Sequence, residues 1–238
     1  MRKNIFSMNF ILFMIIALFY VAGCSKDNDK PSEISDIWDI DKNGIPQFVE
    51  TNYIELNKIY RISKFRSSYG HDYSDAIEHC RSMKHYYEPK GDLDWTTVKI
   101  YSPVTGIITR VESEWEGTKI EIASDKYPAF RFSIFHINLS IPLKVNDKIL
   151  AGEQLGTQIS SLTLSDISVI VNDPTKQGRM VSYFDVMTDA LFNEYKNKGI
   201  NTRADIIISK EARDADPLSC NGDTFTSTGL IESWVILK

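Results

Sequence analysis

The sequence predicts a mainly β body carrying a helical C-terminal extension, on three observations. From Ile40 to about Val171 short segments alternate apolar and polar residues at period two, or carry β-branched and aromatic runs. Turn-forming pairs separate them: Ser102-Pro103, Glu116-Gly117, Tyr127-Pro128 and Asn146-Asp147. After Asn172-Asp173-Pro174 the apolar spacing changes to that of a helix. The composition fits a folded domain. Of 238 residues 42% are hydrophobic and 25% charged, which excludes a disordered, collagen-like or multi-span membrane chain. Lys and Arg number 27 against 32 Asp and Glu, a net charge of −5 with no basic stripe, so nucleic acid is not an expected partner.

At the N-terminus Arg2 and Lys3 precede an almost wholly apolar stretch over residues 5–22, and Val21-Ala22-Gly23 lead into Cys24. A basic head, an apolar run and small residues before a cut site mark a secretory signal. Small residues directly before a Cys resemble the lipobox of bacterial lipoproteins, which implies a signal peptide over residues 1–23 and lipidation of Cys24. A single membrane anchor is the alternative, since the apolar run nearly reaches spanning length. Lipidation implies membrane attachment through acyl chains, at the bacterial outer membrane or cell surface. Residues 24–39 are expected to be the lipidated Cys and a flexible tether, because SKDNDKPSEISD from Ser25 is polar and has no hydrophobic period. Its Ser-Lys-Asp-Asn-Asp start resembles the acidic surface-export tags of Bacteroidetes lipoproteins. Export also changes the cysteine arithmetic. Cys80 and Cys220 remain, an even pair that reads as one disulfide in an oxidising compartment, with two buried free thiols as the alternative.

The β body spans residues 40–172. Its clearest strand segments are VKIY from Val98, GIITRV from Gly106, TKIEIA from Thr118 and FRFSIFHI from Phe130. Many short strands at even turn spacing argue for a sandwich or barrel. Residues 74–85 differ, since Ala76, Ile77, Cys80 and Met83 fall on one face of a helix. In the extension, residues 173–238, a helix is expected over 184–198, with Val186, Met187, Ala190, Leu191 and Tyr195 at helical spacing and Gly199 as its stop. Residues 203–213 suit a second short helix.

Three segments carry a family resemblance. The first is Gly70-His71-Asp72-Tyr73-Ser74-Asp75, a His and an Asp four apart. The second is SPVTGIITRV, residues 102–111. The third is FHINL from Phe135, followed by LKVNDKILAGEQLGT from Leu143. In order and spacing they resemble the H-x-x-x-D zinc half-site, P-x-x-G-x-V strand, Y-x-H-L strand and V-x-x-G-D-x-V-x-x-G-x-x-I-G hairpin of the lysostaphin-type (LytM) peptidoglycan metallopeptidases. The resemblance covers residues 65–171 and implies a LytM-like (duplicated hybrid motif) β-sheet domain that meets peptidoglycan. The hairpin also makes sense alone: Asn146-Asp147 needs a left-handed residue, which Asn tolerates. Biotinyl and lipoyl carriers share such a hairpin, but they need a modified Lys where this chain reads QISSLTL from Gln158.

The resemblance implies His71 and Asp75 as two zinc ligands and His136 as a catalytic, non-ligand His beside the metal-bound water, should the domain be active. A catalytic zinc keeps three protein ligands. The family's closing H-x-H should supply the third ligand and a second catalytic His, and here Asp166 and Ser168 stand in its place. No His follows His136. Ser ligates zinc poorly because its hydroxyl stays protonated, so zinc binding is expected to be weak or absent. His79 and His85, six apart, form no i, i+4 chelating pair. Each candidate also has a plain structural role open to it: Asp75 with Glu78 suits a helix N-cap, His71 a hydrogen-bonded groove residue, His136 a core His. The aromatics Phe65, Tyr73, Tyr86, Tyr87 and Tyr101 suit core and rim, or a sugar or peptide platform. Two functions are therefore carried forward. One is a non-catalytic envelope module that binds peptidoglycan or a partner protein; the other is a zinc endopeptidase with a rearranged ligand set.

Overall fold

A computed structural model describes residues 35–238. The signal segment, Cys24 and most of the expected tether lie outside the described residues. Thirteen strands follow in chain order: β1 (Ile59–Ser63), β2 (His85–Pro89), β3 (Lys99–Tyr101), β4 (Gly106–Ser113), β5 (Thr118–Ser124), β6 (Phe130–Leu139), β7 (Lys148–Ile149), β8 (Gln154–Gln158), β9 (Ser165–Val171), β10 (Arg179–Val181), β11 (Cys220–Asn221), β12 (Thr224–Phe225) and β13 (Trp234–Ile236). Four helices accompany them: α1 (Ile40–Asn43), α2 (Tyr183–Val186), α3 (Asp189–Lys196) and α4 (Lys210–Ala215).

Eleven strands form one antiparallel network in the order β13-β1-β2-β9-β6-β5-β4-β7, with β10 on β9 and β8 between β3 and β6. The network branches at β6, which pairs with β5, β9 and β8. Its centre is β6, whose run FRFSIFHINL is rich in the β-branched and aromatic residues that suit a pleated surface. Phe132 and Ile134 pair in register with Val169 and Ile167 of β9, and with Ile122 and Ile120 of β5. All six are fully buried in the main core, each contributing about 1.5–3 kcal/mol by burial. Phe184, Leu191, Phe192 and Tyr195 close this core from the C-terminal helices.

The expected helix over 184–198 is real but broken. The structure splits it into α2 and α3, with Met187 extended at ψ 140° and Thr188 restarting the helix by accepting a hydrogen bond from Leu191 N. The break has a partner: Phe48 N and Val49 N donate to Val186 O, and Thr188 N to Val49 O. Residues 173–238 also do more than append helices. They give β10 and β13 to the main sheet, and α4 brings the fully buried Arg213, whose guanidinium donates to Arg66 O and Asp216 O.

Residues 74–85 do not form the expected helix. They run as an irregular loop with β2 starting at His85. Local side-chain bonds win over the helical ladder here. Asp72 accepts from Cys80 N and Arg81 N, Asp75 from Ile77 N and Glu78 N, and Glu78 pairs with Arg66 and Arg81 at 2.7 Å. Cys80 itself is left-handed at φ 56° and is disulfide-bonded to Cys220. The bond fixes the β11–β12 hairpin beside this loop, where Asp72 N also donates to Asp223 O. The Asn146 turn forms as expected, with φ 74° and Lys144 N donating to Asp147 Oδ2.

Candidate functional site

Alternate residues of a strand share a face, and the register of β9 therefore decides what lies under its polar side. Tyr86 of β2 stands opposite Asp166, and Ser133 of β6 opposite Ser168. Asp166 and Ser168 consequently point away from the main core, onto a face covered by the 64–84 loop. All three of Ser133, Asp166 and Ser168 are buried, although the sequence around Asp166 gives no sign of it.

His136 reaches the same place by a different device. Thr118 pairs with Ile137 while Ile120 pairs with Ile134, so β6 carries one extra residue between them. His136 occupies this bulge at φ 60°, a conformation uncommon for a non-glycine residue and one way in which a sheet re-aims a side chain. Gly117 permits it: a Cβ there would stand 3.0 Å from His136 C. The ring is buried rather than free. Its backbone N–H donates to Glu114 Oε2, and Nδ1 bonds Glu116 O at 2.9 Å, which assigns the proton to Nδ1. Nε2 faces Asp166 Oδ2 at 3.8 Å.

His71 lies in the β1–β2 loop, half-buried beside Tyr73. Burial lowers its pKa, and the charge of Lys84 lowers it further. Both His71 and His136 line a cleft of about 500 Å³, with Tyr69, Tyr86, Trp95 and Trp115 on its walls and residues 161–164 at its edge. Trp115, 73% exposed at the β4–β5 tip, packs against the His136 ring. Asp75 is not part of this cleft. Its Oδ1 accepts from Ile77 N and Glu78 N, and its Oδ2 from Met180 N of β10. The carboxylate caps a turn, as its spacing to Glu78 suggested, without the helix.

Lys84 is the residue that sequence reasoning missed. Its Nζ lies 3.1 Å from Asp166 Oδ1, an ion pair without hydrogen-bond alignment, and both side chains are buried. The ammonium sits over the rings of Phe135, at 3.6 Å from the centroid, and Tyr73, at 4.2 Å. Burial pushes the Tyr73 phenol up to about 12, so it stays neutral. No local pattern marks Lys84; the Tyr86–Asp166 ladder alone makes it a neighbour of Asp166. The other sequence candidates resolve simply. His79 is exposed, and His85 is buried between Ser63 O at 2.8 Å and Ser182 Oγ at 2.7 Å. Phe65 and Tyr87 are core, while Tyr86 lines the cleft.

These donors do not fit a zinc centre. Asp75 is held by three backbone amides, Asp166 by an ammonium, and Ser168 offers a hydroxyl. Among the described residues no group of three or more His, Cys, Asp or Glu side chains is arranged to hold a metal ion.

No family model and no curated protein matches the chain. Solved structures do resemble parts of it. Csd3 of Helicobacter pylori is 16% identical with a TM-score of 0.43, over 64% of this chain and 40% of its own. A chain of the SpoIIQ–SpoIIIAH pore-forming complex is 11% identical with a TM-score of 0.42, over 63% of this chain and 97% of its own. Lysostaphin is 17% identical with a TM-score of 0.31, over 45% of this chain and 44% of its own. This chain therefore spans less than half the length of the Csd3 and lysostaphin chains.

Proposed function

We propose that this chain is a cell-envelope lipoprotein whose LytM-like domain is non-catalytic and binds peptidoglycan, or a partner protein of the envelope, in the cleft between His71 and His136. One observation carries the reading. The two positions that the resemblance reserves for imidazoles are Asp166 and Ser168, both turned toward the cleft side of β9, and Asp166 is already neutralised by Lys84. A hydrolase of this kind needs a metal-bound water and an acid–base group beside it, and losing such a group removes about 10²–10⁴ in rate. The cleft keeps what binding requires. Trp95, Trp115 and Tyr69 present aromatic faces around a polar interior, a lining that suits sugar rings or peptide. The expected anchor, Cys24 with its acyl chains, holds the domain at the outer membrane or cell surface, and the polar segment after it supplies reach.

The test uses the full-length lipoprotein purified in detergent without chelator. The reading expects well under one zinc per chain, cell-wall suspensions that stay turbid, and co-sedimentation with insoluble peptidoglycan or with an envelope protein retained on it. Replacing Trp115 by Ala should weaken that co-sedimentation. Stoichiometric zinc together with wall lysis that His71→Ala abolishes would instead establish the active endopeptidase with a rearranged ligand set.

A further inference from the structure

Of the positions that the resemblance assigns to the metal and its water, Asp166 stands against an ammonium in this molecule with His136 beside it, while Asp75 is held elsewhere by backbone amides. Lys84 immediately precedes β2 and shares the side of the strand occupied by Tyr86, so the β2–β9 ladder carries its Nζ to Asp166. The pair is sealed: Lys84 is 2% exposed and Asp166 0%. Phe135 and Tyr73 place their ring faces against the cation, at 3.6 and 4.2 Å. His136 Nε2 faces the other Asp166 oxygen at 3.8 Å, and His71 lines the same cleft as His136. A long, strongly hydrated side chain is confined in this way only when its charge is compensated where it ends, and here a carboxylate and two π faces do so.

We propose that Lys84 is a built-in replacement for the metal: its ammonium balances Asp166 beneath the cleft, keeps the cleft shape independent of any ion, and excludes a divalent cation. This deepens the non-catalytic reading and rests on it. Its sharpest consequence is that restoring a ligand is not enough. Ser168→His supplies the missing imidazole yet leaves the ammonium in place, so zinc should still be rejected. Removing the ammonium as well frees the Asp166 carboxylate to join His71 and the introduced imidazole as a third donor.

The experiment compares full-length wild type, Ser168→His, Lys84→Met/Ser168→His and Lys84→Arg/Ser168→His, titrated with zinc against a chromogenic chelator and with cobalt for its visible spectrum. Lys84→Met/Ser168→His should take one metal per chain at least tenfold more tightly than Ser168→His. The Lys84→Arg/Ser168→His protein, which keeps a cation opposite Asp166, should bind as weakly as Ser168→His and so controls for folding. Tight zinc in Ser168→His alone, or equal affinity in all three variants, overturns the proposal. Peptidoglycan co-sedimentation by the wild type, with and without EDTA, is measured in parallel. Equal binding in both supports metal independence, and an EDTA-sensitive signal contradicts it. Failure to co-sediment at all counts against the binding reading while the zinc comparison still decides the role of Lys84.

Discussion

Replacing Lys84 by Met should destabilise the protein far more than replacing both members of its ion pair. The perturbation is well defined: Met keeps the length and apolar stem of Lys84 but removes the charge 3.1 Å from Asp166 Oδ1. Asp166 is then a fully buried carboxylate whose nearest remaining partner is His136 Nε2, 3.8 Å from its other oxygen. Removing one partner of a buried pair costs about 3–5 kcal/mol, because an uncompensated charge remains, whereas replacing both by apolar groups is close to neutral. The lost cation–π contacts with Phe135 and Tyr73 add about 0.5–2 kcal/mol that the double replacement does not recover. For a chain of this size 1 kcal/mol moves the melting temperature by roughly 2–4 °C. Lys84→Met should therefore lower it by roughly 7–28 °C, and Lys84→Met/Asp166→Leu by roughly 1–8 °C. Urea denaturation of the four proteins in the double-mutant cycle gives the coupling directly, with about 3 kcal/mol or more expected between the two sites. Additive effects, or a Lys84→Met protein within about 1 kcal/mol of wild type, would show that the pair is not the buried counter-charge described here.

Reducing the Cys80–Cys220 bond, which spans a sequence separation of 140, should cost up to about 5 kcal/mol through freedom returned to the unfolded chain; urea midpoints that do not change with reductant would contradict this. His85, held neutral by burial with its pKa lowered to about 4 and its ring fixed between Ser63 O and Ser182 Oγ, binds fewer protons folded than unfolded. Its contribution is therefore present above the unfolded value of about 6.5 and is lost as pH falls toward 4, a loss of about 3 kcal/mol in total. His85→Gln should flatten stability against pH between about 6.5 and 5, and an unchanged slope in that variant would refute the assignment. Labelled palmitate should enter the wild-type protein in bacterial cells but not Cys24→Ser, which should fractionate as soluble; equal labelling of the two would remove the lipid anchor from the proposed function.

Much of the β body was legible because its signals are local. Period-two alternation or β-branched and aromatic runs in β4, β5 and β6, the left-handed Asn146 and the even cysteine pair each depend on a few neighbouring residues or on simple arithmetic. The same locality explains the misreading of residues 74–85. Their helical spacing is genuine, but Asp72, Asp75 and Glu78 spend their hydrogen bonds within the loop and on distant partners such as Arg66 and Met180, which no periodicity reveals. The break between α2 and α3 has a similar origin, since Val49 competes for the backbone at Val186 and Thr188 from far along the chain.

From the sequence alone comes the expectation that Asp166 and Ser168 stand where the resemblance puts two imidazoles, with no His after His136 in the sequence. What stands there instead was decided only by the tertiary structure. The β-bulge at His136 turns that ring toward Asp166, and the register of β2 on β9 delivers Lys84 to the same carboxylate from more than eighty residues away. A strand's side-chain period is two, so a shift of one residue in that register would send Lys84 and Tyr86 to the opposite face and leave Asp166 buried without its cation. Register is set by the packing of the whole sheet, by Ile167 and Val169 against Ile134 and Phe132, and not by anything adjacent to Lys84 in the chain.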